Sequence, residues 1–461
     1  MKENLSTTAP PWTATPRSQT AGLQPGFYLV LAYIFITYTR LPEILPTLIG
    51  HGVRLGLIAG IMAAIVVLLS GGFFRTFSSR IVLAFLAFTA WLCLCIPFSV
   101  WRGGSFQQFV AWLISMLSLI LLAGCIDDLE QCRKAMYAMA VSVLFIELLS
   151  FFFGTSDQAR AVGRFSLLYG TFANSNDFAT LLLMGLPFCL LVVRASKRPS
   201  VLKVASFLGL LLVPITVVRT GSRGGLLALV IMFVVYFFSV PALQRVPLAV
   251  GALLLAVVAM VSSNEAALER YKTIFQNPDG TYYANTVEGS AALSTHSRKE
   301  LFLSSVRMTF EHPLTGVGPG MFQVADAKDA EEKKHPAAWH QTHNLFTQIS
   351  SEAGFPALFL YIAALVLCFQ TTRAARKFAM ERPEQRTLGD MAFCLRLSLL
   401  AFLITSIFAS NAYQFYFPLV AGLCAALEHG LKKAKAAVPA PVAVAAGPTT
   451  RPAAIRPGQQ R

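Results

Sequence analysis

Charge is what this sequence has least of. Only 13% of its 461 residues are Asp, Glu, Lys or Arg, where about 25% is usual in a soluble chain. So little charge cannot cover a water-soluble core of this size. A hydrophobic share of 55% and a mean hydropathy of +0.59 equally exclude intrinsic disorder for the body of the chain. Acidic residues are the scarcest, 23 against 38 Lys and Arg, which leaves a formal charge of +15. That excess does not read as a nucleic-acid surface. The basic residues lie between apolar segments and in the tails, where a membrane protein keeps them. A disulfide framework or zinc site is also missing: Cys93, Cys95, Cys125, Cys132, Cys189, Cys368, Cys394 and Cys424 all fall in or beside apolar stretches, and Cys93/Cys95 is not a CxxC. No internal repeat is visible, which argues against transporters built from paired halves. No cleavable signal peptide is expected, since a Pro/Thr-rich tail from Met1 to Pro25 precedes the first apolar run.

What the sequence does have is apolar runs of membrane-crossing length, roughly 20 residues each. They fall at 26–39, 52–70, 80–100, 107–125, 134–153, 177–193, 201–218, 223–240, 246–262, 345–369, 392–411 and 413–430. The expected fold is therefore an all-α polytopic membrane protein of about 12 transmembrane helices. Its parts are a disordered cytoplasmic tail (1–25), spans one to nine (26–262), a long loop (263–344), spans ten to twelve (345–430) and a disordered Pro/Ala-rich cytoplasmic tail (431–461). With the N-terminus inside, the inner loops collect Arg75/Arg80, Arg133/Lys134, Arg194/Lys197/Arg198/Lys203, Arg245 and the group from Arg373 to Arg386. The outer loops hold far fewer basic residues, so the positive-inside rule favours both ends in the cytoplasm.

The loop 263–344 breaks the pattern of short connections, and loops of that length are usually functional. Helix signals run from Glu265 to Phe275, and Ser297-Arg298-Lys299-Glu300 has the spacing of a capping box opening a helix to about Phe310. That helix stops at Glu311-His312-Pro313 and gives way to the turn-rich Gly316-Val317-Gly318-Pro319-Gly320. A small helical cap over the outer membrane face is the expected result.

Two groups of residues on that face invite a chemical reading. In Thr220-Gly221-Ser222-Arg223-Gly224-Gly225, Ser222 is a good N-cap, so Arg223 stands at the positive end of a membrane helix. A cation there is misplaced unless an anion shares the site, and the glycines leave room for close approach. The plain alternative is an arginine snorkelling to headgroups. Arg298, in the first turn after Ser297, repeats the logic, and two guanidiniums with bidentate forks suit a diphosphate. Arg164, Arg219 and Arg307 are lesser candidates. Among the histidines, His335, His340 and His343 fall close together, and His343 meets the tenth span. A helix N-terminus disfavours imidazolium, so His343 should stay neutral and able to take a proton from a hydroxyl. A metal site and a merely structural histidine both compete with that reading. The metal reading lacks an HExxH, and Asp326, Asp329, Glu331 and Glu332 lack a DxD spacing.

From Arg164 to about Leu360 the chain resembles the O-antigen ligase and O-antigen polymerase superfamily of envelope glycosyltransferases. Three blocks carry the likeness: Thr220 to Gly225; Ser297-Arg298 with His312-Pro313-Leu314-Thr315-Gly316-Val317-Gly318-Pro319-Gly320-Met321-Phe322; and His343-Asn344-Leu345 with Glu352-Ala353-Gly354-Phe355-Pro356. Gly170-Thr171-Phe172-Ala173-Asn174-Ser175-Asn176 also looks like a family element. The resemblance implies a GT-C-like membrane fold with its active site facing the periplasm from the bacterial inner membrane. It implies a polyprenyl (undecaprenyl) diphosphate-linked glycan as donor, and lipid A core, a growing glycan or a protein as acceptor. Membrane lipid would be a further partner and nucleic acid none. Carried over by position, Arg223 and Arg298 would bind the diphosphate and His343 would activate the acceptor hydroxyl. Arg164, Arg219, Arg307 and His340 would be further contacts. No cofactor and no metal are expected, because two arginines can stabilise the charge that a metal stabilises elsewhere. The likeness does not separate ligase from polymerase. A transporter or lipid flippase is the rival from another class, and a non-enzymatic envelope assembly factor is a third reading.

Overall fold

A computed structural model describes residues 25–49, 58, 60–62, 64–65, 72–155, 164–167, 169–195, 199–272, 287–332, 334 and 339–437. Most of the expected second span, both expected tails beyond these limits, and His335 lie outside the described residues. Among the described residues the chain is built almost wholly of helices, as an all-α polytopic membrane protein should be. In chain order they are α1 (Pro25–Tyr38), α2 (Leu41–Ile49), α3 (Gly72–Thr76), α4 (Arg80–Cys95), α5 (Arg102–Cys125), α6 (Leu129–Phe153), α7 (Ser175–Ala195) and α8 (Val201–Arg219). There follow α9 (Arg223–Ser239), α10 (Ala242–Ser262), α11 (Glu265–Lys272), α12 (Val287–Glu311), α13 (Phe322–Glu332), α14 (Leu345–Met380), α15 (Arg386–Ser406) and α16 (Tyr416–Ala436). Among the described residues, eight helical segments are long and apolar enough to cross a membrane, and α1 and α9 are apolar but shorter.

Within a bilayer, helices associate through close packing rather than through expulsion of water. Here α7 is the hub: it packs against α6, α8 and α15, with buried residues on all sides from Phe178 to Cys189. A second hub is α16, buried from Tyr416 to Leu431 and set against α5 and α14. Between them an aromatic cluster fills the core. Phe417 lies 4.9 Å from Phe85, 5.1 Å from Tyr361 and 5.3 Å from Phe402, centroid to centroid. Trp112 donates its indole N–H to Thr89 Oγ1 at 2.8 Å, the polar handle a buried tryptophan needs. At the periphery α10 packs against α8 and buries only Ala259, so nearly all its apolar surface faces outward.

Three details differ from the sequence reading. The helix expected to open at Ser297 begins ten residues earlier, at Val287. Ala291 and Ala292 are strong helix formers, and the run continues through Ser297. Arg298 therefore sits mid-helix, and no free first-turn N–H groups lie beside it. The last span does not give way at residue 430 but carries its helix through Lys432, Lys433 and Lys435 to Ala436. The third is the Gly-rich stretch, which is a clasp. Val317 N–H donates to Ser351 O at 2.8 Å, Gly318 N–H to Glu352 O at 3.0 Å and Phe355 N–H to Pro313 O at 2.8 Å. The buried Glu352 carboxylate accepts from Gly320 N–H at 3.0 Å and from Phe322 N–H at 3.4 Å. The clasp fits against α14 where Gly354 (φ 76°) and Pro356 kink it. Gly316 lies so close that a Cβ would meet the Glu352 carbonyl carbon at 2.3 Å. Two of the three blocks that carry the resemblance are thus one interlocked unit.

Candidate functional site

The remaining block, Thr220 to Gly225, forms one wall of the site. Ser222 extends before α9, and its Oγ accepts from Gly225 N–H at 3.2 Å, the N-cap bond expected of it. That cap sets Arg223 as the first residue of α9. The glycines behind it serve packing: a Cβ on Gly224 would stand 2.8 Å from the Phe408 ring and one on Gly225 3.1 Å from Ala179 Cβ. They let α9 approach its neighbours, and both also line the pocket beside Arg223.

Asn176, at the start of α7, holds the turn from the other side. Its Oδ1 accepts from Ser222 Oγ and from Arg164 Nη2, and Arg164 Nε donates to Thr220 O at 3.0 Å. A two-residue antiparallel ladder, Gly154 with Leu167 and Thr155 with Ser166, delivers Arg164 and Phe165 to this place. Phe165 N–H donates to Arg219 O at 3.2 Å, and the Arg219 guanidinium stacks over the Phe165 ring at 4.1 Å.

Arg223 and Arg298 line one pocket. Arg270 joins them, with Asn176, Thr180, Thr405, Phe408 and the turn from Gly221 to Gly225 completing the wall. Among the described residues that lining includes no acidic side chain. The inner space is about 10 Å³, room for hardly more than one water. Burial, then Arg223 and Arg298, pushes Arg270 down to about 10, despite an opposing effect of Tyr271. Burial, then Arg270, Arg298 and Arg223, pushes Arg164 down to about 9. Burial and Arg223 also lower Arg298. An arginine keeps its proton at neutral pH, so these shifts express burial first and mutual repulsion second, and a bound anion relieves the repulsion.

His343 adopts a left-handed backbone (φ 52°) just before the N-cap of α14. Asn344 Oδ1 accepts from Phe346 and Thr347 N–H, and Asn344 Nδ2 donates to Ile407 O at 3.1 Å. His343 N–H donates to Ser410 Oγ at 2.8 Å. The turn is thereby pinned to the connection between α15 and α16, which also supplies Phe408 to the arginine pocket. Burial, then the charge of Arg298, then His340, lowers the His343 imidazole to about 4. That shift favours the neutral imidazole at pH 7, and its main causes are burial and Arg298.

Other candidates fall elsewhere. Arg307 is engaged within the 287–332 region, pairing with Asp329 and lying 3.8 Å from Glu311. Arg219 stacks on Phe165 and does not line the arginine pocket. His340 is exposed but close enough to act on His343. Arg270 was missed by sequence reasoning. Its one signal is local: it follows Ala267 by three on α11, and both are buried, on the inner face of a short charged helix.

Comparison with known proteins bears on this same region. A search of curated proteins finds no match. The family model described as O-antigen ligase matches residues 207–362, about a third of the chain. The match takes in Arg223, Arg270, Arg298 and His343, and it leaves out Arg164 and the Gly170–Asn176 element. Through residues 207–362 the chain is similar to the O-antigen ligase family.

Proposed function

We propose that the chain is a glycosyltransferase of the bacterial inner membrane. It moves a glycan from a polyprenyl-diphosphate carrier to an acceptor hydroxyl on the periplasmic face, in the manner of an O-antigen ligase. The observation that carries this reading is the convergence of Arg223, Arg270 and Arg298 on one pocket, with His343 in electrostatic reach of Arg298. The lipid nature of the donor has its own support. From Arg223, the exposed Leu227, Val230 and Val234 follow at helical spacing down α9, an apolar track leading from the pocket into the bilayer.

In this mechanism His343 accepts the proton of the acceptor hydroxyl as its oxygen bonds to the anomeric carbon of the donor sugar. The bond from that carbon to the diphosphate oxygen breaks, and its electron pair leaves with the polyprenyl diphosphate. The arginines hold the donor and stabilise the charge that grows on the leaving oxygen. Burial is the main cause of the lowered His343, but the diphosphate offsets the second, the charge of Arg298, and so raises the basicity of the imidazole when it is needed. The positive charge comes from guanidiniums, and the reading calls for no metal ion.

Glycan profiling of a deletion strain tests the proposal. Lipid-linked polymer accumulating beside bare acceptor supports a ligase. Loss of chain length with single repeats retained makes the protein a polymerase instead. An unchanged envelope glycan profile overturns glycosyl transfer altogether.

A further inference from the structure

We infer that a second anion site, suited to the phosphate headgroup of an anionic phospholipid, lies at the end of the bundle opposite the arginine pocket. α7 and α9 both start at that pocket, with Asn176 and Arg223, and their far ends, Arg194 and Ser239, line another cavity. At 1.5 Å per residue the two places are roughly 25 Å apart, close to the thickness of a hydrocarbon core. The second cavity is the wider of the two: its volume is about 420 Å³, within the range of small-ligand sites.

Its lining carries three arginines, Arg194, Arg376 and Arg386, against one acid, Asp390, an excess of two positive charges. Asp390 is already matched, its buried carboxylate lying 2.8 Å from Arg194 Nη2. The guanidinium of Arg376 stacks over the Phe393 ring at 5.0 Å, which holds its plane while leaving the edge donors available for a phosphate. Arg386 is exposed at the first turn of α15. Met380 and Phe393 supply an apolar wall for glycerol carbons and the start of acyl chains. Three helices of membrane-crossing length end around the cavity, α7, α14 and α15, so it lies level with headgroups, and basic pockets between helix ends are where anionic headgroups are held. A free phosphate would meet the guanidiniums but leave the apolar wall uncovered, which favours the lipid as occupant.

The test uses the full chain in detergent and in nanodiscs. Native mass spectrometry should show phosphatidylglycerol retained in preference to phosphatidylcholine, and added short-chain phosphatidylglycerol should raise the thermal midpoint. The double variant Arg376→Gln/Arg386→Gln should weaken this retention about tenfold. The single variant Arg386→Gln, at an exposed position, should weaken it in the same direction and keeps the test valid if the double variant fails to fold. Arg382→Gln, outside the cavity, should retain the lipid as the wild type does. Equal retention by all variants, or equal retention of phosphatidylcholine, overturns the site. A matching thermal shift with inorganic phosphate alone overturns the lipid as its occupant. None of these readouts depends on glycosyl transfer.

Discussion

Asn176 Oδ1 accepts a hydrogen bond from Ser222 Oγ at 2.9 Å. The bond ties the start of α7 to the cap of α9, and the same oxygen takes a second one from Arg164 Nη2 at 2.8 Å. One amide thus sets both the cap behind Arg223 and the side chain of a neighbouring arginine.

Asn176→Asp should separate architecture from binding. A carboxylate accepts the same two hydrogen bonds, so the thermal midpoint should hold or rise. It also places a built-in anion among Arg164, Arg223, Arg270 and Arg298, where it competes with a diphosphate. Donor affinity should fall about tenfold or more, roughly the loss of one charge-assisted contact. Undiminished donor affinity in equilibrium binding would mean that the diphosphate sits elsewhere.

The proposed base and clamp should fail differently. His343→Ala should cut the single-turnover rate by about 10²–10⁴ and leave donor binding nearly intact, since a neutral imidazole adds little to holding a diphosphate. Arg223→Ala and Arg298→Ala should lose affinity as well as rate, by about 1.5–3 kcal/mol each, and Lys should rescue poorly because it lacks the planar fork. If His343→Ala loses donor affinity as badly as the arginine variants, the roles are misassigned.

The acid limb of the pH profile follows from the lowered His343. Because burial and Arg298 hold the imidazole down to about 4, its neutral, proton-accepting form persists well below the ordinary histidine range. The kcat/KM profile reports the free enzyme, so it should stay flat through pH 5.5 and fall only as pH approaches about 4. Arg298→Gln should move that limb upward by removing a repelling charge. A wild-type limb near the ordinary value of about 6.5 would show that His343 is not the titrating group.

Arg270 and Arg307 make a paired control. Arg270 lines the arginine pocket, so Arg270→Ala should weaken donor binding in the manner of Arg298→Ala. Arg307 is half exposed and paired with Asp329. Its removal should cost about 0.2–1 kcal/mol of stability, read as a small drop in thermal midpoint, with donor affinity unchanged. The reverse pattern would exchange their places in the site.

Local features were the legible ones. Apolar length located the ends of α6, α8 and α10 to within a few residues, and Ser222 could be read as a cap because the residue and its helix adjoin in sequence. Arg298 was placed on the right element with the wrong context. The capping-box spacing at Ser297 looks the same whether a helix starts there or runs through, and only the preceding turns decide. Arg270 and Glu352 were beyond reach for a different reason. Arg270 gains its meaning from Arg223 and Arg298, and Glu352 from backbone N–H groups of Gly320 and Phe322, all distant along the chain. The Gly-rich stretch could be read as a turn but not as half of a clasp, because its other half is the kink at Gly354.

The crowding of guanidiniums has a consequence for turnover. Arginines that grip a diphosphate grip it with or without a sugar attached, so the discharged carrier is as well matched to the pocket as the loaded one. Only the glycan distinguishes them, and it has just departed. In the proposed reaction, escape of the empty lipid along the outer surface of α9 then sets the pace, and polyprenyl diphosphate inhibits by staying behind.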